Sequence, residues 1–482
     1  MPPIRSSAHA SCARRWFCSA LVLCALLCAT DPAHADDGDP DPAFSLDGTT
    51  WHRWSTTYQG ADIFDVTTRS VTVTANGSVA TVGGFSVGGD DRFDACVVTR
   101  WDSSGAIDDG FGTDGWMLVY FESQPNKDDC LGIFPAPGNT LLVVGAVESM
   151  SPPYEKPALV RLLPNGALDP GFGVGGKVVI DSQPFAGAGY LFKGAIQAPD
   201  GKILLFGACE DCGHGSFDDF TAVRINANGS VDTSFGNAGW VSFGRTDQND
   251  HYLPERATAA AIDSRGRIVL AGYTENYDDQ DHQQRPLIVR YKSDGTLDTQ
   301  FNLSGWQEIN VVGSFAPSAV AIDPVNDTIV LAANITHTSS VLPGAMLTRV
   351  REYGMVDTNF GSGGFVTLQY EEGTNIAALG VRRDRRIVAA GWIDPNGVDT
   401  RDYFAARLVP SGALDGSFDG NGVNRYTFTF ADESIDEPAA MAISDGRPVI
   451  AGQLVNEATN PERYGTGVLR LQSDALFADG LD

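Results

Sequence analysis

Carboxylates and aromatics gather in a few stretches of this sequence in ways that could do chemistry. Asp278, Asp279 and Asp281 stand beside Tyr273, Tyr277 and His282; Asp218 adjoins Asp219; Tyr252 follows His251; and Trp392, Asp394, Asp399 and Tyr403 share one stretch. Hard carboxylate oxygens suit Ca²⁺, so Asp278, Asp279 and Asp281 are the Ca²⁺ candidates. Exposed aromatics suit sugars or protein partners. None of the clusters has the spacing of an EF-hand loop, and acidic loops also keep a protein soluble with no ligand at all, so no cofactor beyond Ca²⁺ is implied. Ser45-Leu46-Asp47-Gly48-Thr49-Thr50-Trp51 approaches the Asp-box of sialidases but is one residue short between Asp and Gly and occurs once.

Nucleophilic and metal chemistry find little purchase. Of eight Cys, Cys12, Cys18, Cys24 and Cys28 fall in the first 35 residues, leaving Cys96, Cys130, Cys209 and Cys212. Cys209-Glu210-Asp211-Cys212 lacks the strand-then-helix setting that lowers a thiol pKa, so it reads as a disulfide that clips a loop. A zinc site there would need a second pair of ligands, which the nearby His214 does not supply. The expected pairs are Cys96 with Cys130 and Cys209 with Cys212. No Ser/His/Asp set or phosphate-binding Gly loop is recognisable, and no catalytic residue is assigned. His52, His214, His251, His282 and His337 lie in unrelated parts of the chain.

The ends of the chain set its compartment. Arg5, Arg14 and Arg15 precede the apolar run 16–29 and Ala33-His34-Ala35, the three-part layout of a secretory signal peptide, with cleavage expected after Ala35. Arg14-Arg15 loosely fits a twin-arginine signal, and Cys28 approaches a lipoprotein site, but with Leu27 where a small residue is needed. The apolar run is too short to span a bilayer, and nothing later in the chain approaches a span. Removing residues 1–35 leaves 30 basic and 60 acidic residues. That balance argues against nucleic acid or an anionic membrane as partner. The expected mature protein is a periplasmic or secreted monomer with no transmembrane segment and a short acidic tail over 473–482.

The elements that must position these residues come from a repeat. Asp, two residues, Phe, and Gly four residues on recur seven times: Asp41, Phe44, Gly48; Asp108, Phe111, Gly115; Asp169, Phe172, Gly176; Asp232, Phe235, Gly239; Asp298, Phe301, Gly305; Asp357, Phe360, Gly364; Asp415, Phe418, Gly422. Eight residues before each Asp from 108 onward stands an Arg that ends an alternating strand: Arg100, Arg161, Arg224, Arg290, Arg349 and Arg407. Arg470 is a seventh, with no Asp after it. A second signature, a turn and then a β-rich run, ends at Gly83, Gly145, Gly207, Gly272, Ala333, Gly391 and Gly452. Each unit therefore reads as a four-stranded antiparallel meander. The orphan motif at Asp41 and the orphan Arg470 complete each other if the chain closes on itself, which predicts an all-β, seven-bladed propeller over 36–472.

Phrases such as Asn228-Gly229-Ser230-Val231-Asp232-Thr233-Ser234-Phe235-Gly236 and Asp294-Gly295-Thr296-Leu297-Asp298-Thr299-Gln300-Phe301 resemble the delta-60 repeat, a bacterial family whose resemblance implies propellers and supplies no catalytic residues. Ser45, Asn302 and Asp419 stand where that repeat has Gly after Phe.

Because Asp, Phe, Gly and Arg recur in every unit, they read as structural: Phe buries between blades, Gly permits a tight turn, and Asp satisfies turn amides or pairs with Arg. Two connections per unit are uniform and share one face. The other two, such as 244–255, 210–219 and 275–286, vary and crowd the opposite face, where a rigid scaffold would carry function. The leading expectation is a non-enzymatic scaffold binding a protein, glycan or cell-surface component through that variable face. The alternative is a hydrolase or lyase with carboxylates at the mouth of the channel. An enzyme should place unlike polar residues around that mouth, and a binder should spread them across the loops.

Overall fold

A computed structural model describes residues 38–472, apart from positions 56, 60, 88–94, 123–126, 151–152, 182–183, 186–187, 213–217, 247–251, 276–282, 338–343, 371–372, 395–400, 429–434 and 457–462. Seven antiparallel sheets form a seven-bladed β-propeller, and no described residue is helical. Chain order runs from the inner strand of each blade outward. Blade 2, for example, is Asp128–Ala136, Thr140–Met150, Pro153–Leu162 and Lys177–Val179. Blades 3 to 6 repeat this order, with inner strands Gly189–Gln197, Glu255–Ile262, Ser314–Ile322 and Gly373–Val381. In blade 1, Ser70–Val73 is innermost, and a hairpin of Thr57–Tyr58 and Ala61–Val66 extends its sheet by pairing with Val79–Val87.

Blade 7 closes the ring. Its first three strands are Ile435–Ser444, Arg447–Asn456 and Arg463–Arg470, and its outer strand is Thr49–Arg53 from the other end of the chain. Thr49 lies opposite Leu469 and Arg53 opposite Gly465. The two orphans do complete each other.

Second strands such as Ile203–Glu210 have blades packed against both faces and read as near-continuous apolar runs, buried throughout except at the end. The seven motif Phe side chains are at most 2% exposed. Burial of each contributes about 2–3 kcal/mol.

The Arg and Asp of each unit pair within that unit. Arg Nε donates to Asp Oδ2 at 2.7–2.9 Å in all seven blades, and the guanidinium lies 4.3–5.2 Å from the motif Phe ring. The other Asp oxygen accepts the amide two residues on, from Ala43 through Ser417, as the turn requires. The unit also reaches its neighbour. Arg290 Nη1 donates to the Glu352 carbonyl at 2.6 Å, and the Asn302 amide donates to the Tyr353 carbonyl at 2.8 Å. Ser45, Asn302 and Asp419 hold φ of 54°, 49° and 46°, against 51–61° for the glycines at the same step, so the departures from the repeat keep its turn.

The disulfides are Cys96–Cys130 and Cys209–Cys212. The first ties the third strand of blade 1 to the inner strand of blade 2; the second clips the end of a blade 3 strand.

Candidate functional site

The scaffold builds its site by breaking a rule at the same place in each blade. The inner strands of blades 2 to 7 each carry a one-residue bulge, set between Cys130 and Gly132, Phe192 and Gly194, Ala257 and Ala259, Pro317 and Ala319, Ile376 and Ala378, and Pro438 and Ala440. In blade 1 the same step falls at Arg69, whose amide donates to the Val82 carbonyl. A bulge leaves one residue without a ladder partner and re-aims its side chain. The glycines of the second signature explain themselves here. A Cβ on Gly272 would lie 1.9 Å from the Arg256 carbonyl oxygen, and one on Gly391 1.8 Å from that of Asn375.

The bulge residues are therefore Arg69, Leu131, Lys193, Thr258, Ser318, Ala377 and Ala439, one per blade, and all but Ala377 line a single cavity of about 520 Å³ in the channel. Thr67, Asp129, Trp392, Glu437 and Gln453 line it too. Inner strands run from the variable face to the uniform face, and these residues lie near their starts, so the cavity is the variable-face mouth of the channel. The seven positions that the fold makes equivalent are filled by unlike side chains.

The electrostatics of the mouth are uneven. Asp129 is pushed above the usual carboxylate range by burial, an effect that Arg69 and then Lys193 oppose. Glu155, in the third strand of blade 2 behind it, is pushed up to about 7 by burial; its Oε2 accepts the Phe192 amide at 2.6 Å. Across the channel, Arg401 stacks 4.6 Å from the Trp392 ring and pairs with Glu437, whose Oε2 accepts from Gln453 Nε2 at 3.0 Å. Thr258 Oγ1 donates to the Pro317 carbonyl at 2.6 Å, whereas Ser318 Oγ has no partner among the described residues.

Of the described loop residues singled out in the sequence, Trp392 alone lines this cavity. Asp218 pairs with Arg256 Nε at 2.5 Å, with Tyr273 half-buried beside them. Asp219 is buried at 1% exposure, and Asp394 is half-buried at the end of its strand. Tyr252 is exposed on the rim. Tyr403 is not a loop-face residue: it is fully buried against Phe428, its hydroxyl donating to the Gly467 carbonyl at 3.3 Å, because the strand that carries it packs between blades 6 and 7. His251, Tyr277, Asp278, Asp279, Asp281, His282 and Asp399 lie outside the described residues, so the Ca²⁺ candidates have no structural account. Among the described residues, no three His, Cys, Asp or Glu side chains are grouped so as to hold a metal ion. Among the described residues, no helix is long and apolar enough to cross a membrane.

Arg69, Asp129, Lys193 and Glu437 were not singled out from the sequence. The signal was nonetheless there: the bulge residues form a column 13 to 15 positions before each second-signature glycine or alanine, as from Arg69 to Gly83 and from Lys193 to Gly207.

A family model described as a β-propeller domain of unknown function (DUF5122) matches residues 139–172, 198–235 and 266–301. No curated protein sequence matches the chain. Among solved structures, a polysaccharide lyase is 11% identical, with 87% of this chain and 93% of that one covered at a TM-score of 0.48. An ulvan lyase is 10% identical, with 92% and 97% covered at 0.43. An α-L-arabinofuranosidase of Fusarium graminearum, in complex with arabinobiose, is 10% identical, with 76% and 99% covered at 0.44.

Proposed function

We propose that this protein is an exported, saccharide-binding β-propeller whose ligand enters the variable-face mouth of the channel. One observation carries the reading: at the bulge position that the fold repeats, six blades present Arg69, Leu131, Lys193, Thr258, Ser318 and Ala439 to a common cavity, six different residues of which four are polar or charged, with an aromatic ring beside them. A merely structural ring would repeat, as Arg, Asp and Phe do elsewhere in this fold. Trp392 offers a flat apolar surface for a pyranose face, and Thr67, Asp129, Ser318 and Gln453 offer hydrogen-bonding groups around it. The cavity has the size of a small-ligand site.

A glycan array probed with residues 36–472, and repeated with Trp392→Ala, tests the proposal. Binding to a defined saccharide set that the variant loses supports it; binding that survives in the variant, or no saccharide binding, counts against it.

A second reading rests on Asp129 and Glu155. Both carboxyls are raised by burial, Glu155 to about 7, and Lys193 acts on both. A buried carboxyl that holds its proton more tightly than usual is suited to general acid or base work, as a hydrolase or lyase requires. The Phe192 amide bond to Glu155 leaves Asp129 as the group that faces the cavity. Release of shorter fragments from a bound polysaccharide, abolished by Asp129→Asn, would establish catalysis; intact ligand after long incubation would leave binding alone.

A further inference from the structure

The mouth of the channel holds two cationic side chains that the described residues leave without a hydrogen-bond or ion-pair partner. Acidic residues outnumber basic ones 61 to 33, and basic side chains readily find carboxylates here: Arg256 has Asp218, Arg401 has Glu437, and Arg245 has Glu255. Arg69 and Lys193 are different. Both are exposed to the channel, and neither side chain makes a hydrogen bond or ion pair among the described residues. They sit at equivalent bulge positions of blades 1 and 3 and bracket Asp129 of blade 2, on which both act electrostatically.

Two like charges converging on one cavity repel each other, and that arrangement is relieved when an anion sits between them. The remaining carboxylate in the lining, Glu437, is already engaged by Arg401 and Gln453. Asp129 is the one carboxylate that blades 1 to 3 contribute to the lining, and Glu155, on which Lys193 also acts, lies behind it with burial favouring its neutral form, so the lining of blades 1 to 3 keeps one positive charge in excess. Across the cavity stands the Trp392 ring, which accepts a sugar face and not a free small anion.

We propose that the ligand is an acidic saccharide, bound with a uronate carboxylate between Arg69 and Lys193 and a sugar ring against Trp392. This inference rests on the saccharide reading above and adds the charge of the ligand to it. A guanidinium takes a carboxylate in a two-pronged geometry, and the ammonium adds a compact charge from the other side. The negative field of the whole protein slows the approach of such a ligand but does not prevent its capture at a locally positive mouth.

The test is titration calorimetry of residues 36–472 with tetramers of galacturonic, glucuronic and mannuronic acid, the methyl esters of the same tetramers, and a neutral galactose tetramer. The expected result is binding of at least one free acid, ten-fold or more tighter than its ester, weakening with added salt. Arg69→Gln and Lys193→Gln should each cost about ten-fold and together erase the preference for acid over ester, with unchanged melting temperatures because both side chains are exposed. Equal affinity for acid and ester, or a preference that survives in the double variant, overturns the inference. Binding of the neutral tetramer alone overturns the inference and leaves the saccharide reading standing; binding of no saccharide overturns both.

Discussion

Arg470 Nε donates to Asp41 Oδ2 at 2.9 Å, joining residues 429 apart in sequence in a bond that every other blade makes across eight. Asp41 Oδ1 also accepts the Ala43 amide, and the Arg470 guanidinium stacks on Phe44. The pair is 11% and 8% exposed, so its loss leaves a cation nearly dry.

Asp41→Ala should therefore destabilise the protein by about 3–5 kcal/mol, the range for removing one partner of a buried pair. Asp108→Ala, the equivalent change inside one continuous blade, should cost a similar amount. Only Asp41→Ala should also free the strand Thr49–Arg53 for cleavage in limited proteolysis, because that strand is held at the far end of the chain. Equal protease resistance in the two variants would contradict ring closure by this pair.

The seven-fold architecture was legible because Asp, Phe, Gly and Arg must recur wherever the same turn recurs, and closure was legible because one motif and one Arg strand were left over. The pairing of Cys96 with Cys130 followed from blade order. The mouth of the channel was harder to see. Loop residues carry obvious functional chemistry, so attention fell on Tyr403 and Asp219, which the blades bury. Lys193 sits inside its inner strand and Arg69 just before Ser70–Val73, both among ordinary β residues, and only the local backbone step, packed against the glycine of the next strand, turns them into the channel.

Cys130→Ser removes a staple that closes a loop of 34 residues between two blades. Chain-entropy reasoning gives a loss of about 3–4 kcal/mol. Denaturant unfolding should show that loss in oxidised protein, and the variant and the wild type should converge once reductant is added. A variant as stable as oxidised wild type would show that blades 1 and 2 hold together without the staple.

Glu155 makes stability depend on pH in a definite direction. Its folded pKa of about 7 lies above an ordinary unfolded value of about 4.3, so its favourable contribution is complete below about pH 4 and is lost as pH rises through 7. Asp128, also raised to about 7 by burial, acts in the same sense. Glu155→Gln keeps an acceptor for the Phe192 amide and cannot ionise. It should flatten the fall in stability between pH 5 and pH 8 and be more stable than wild type at pH 8 by about 2–3 kcal/mol. Parallel pH profiles for the two proteins would place the titration elsewhere.

Gly391 faces the Asn375 carbonyl too closely for any side chain. Gly391→Ala should cost about 2–3 kcal/mol as the bulge shifts or the strands part. It should also weaken ligand binding, because Trp392 is its neighbour and the bulge sets the height of the mouth. A variant with native stability and binding would show that the bulge is not needed to shape the site.

If ligand enters through the channel mouth, plugging that mouth abolishes binding. Ala439 lines the cavity from blade 7, and Ala439→Trp adds bulk there without removing any side-chain hydrogen bond. Calorimetric titration with a saccharide identified on the array should show binding to wild type at one site per chain and none to Ala439→Trp, with the melting temperatures of the two within a few degrees. Undiminished binding to the plugged protein would place the ligand on the outer loops and contradict the account.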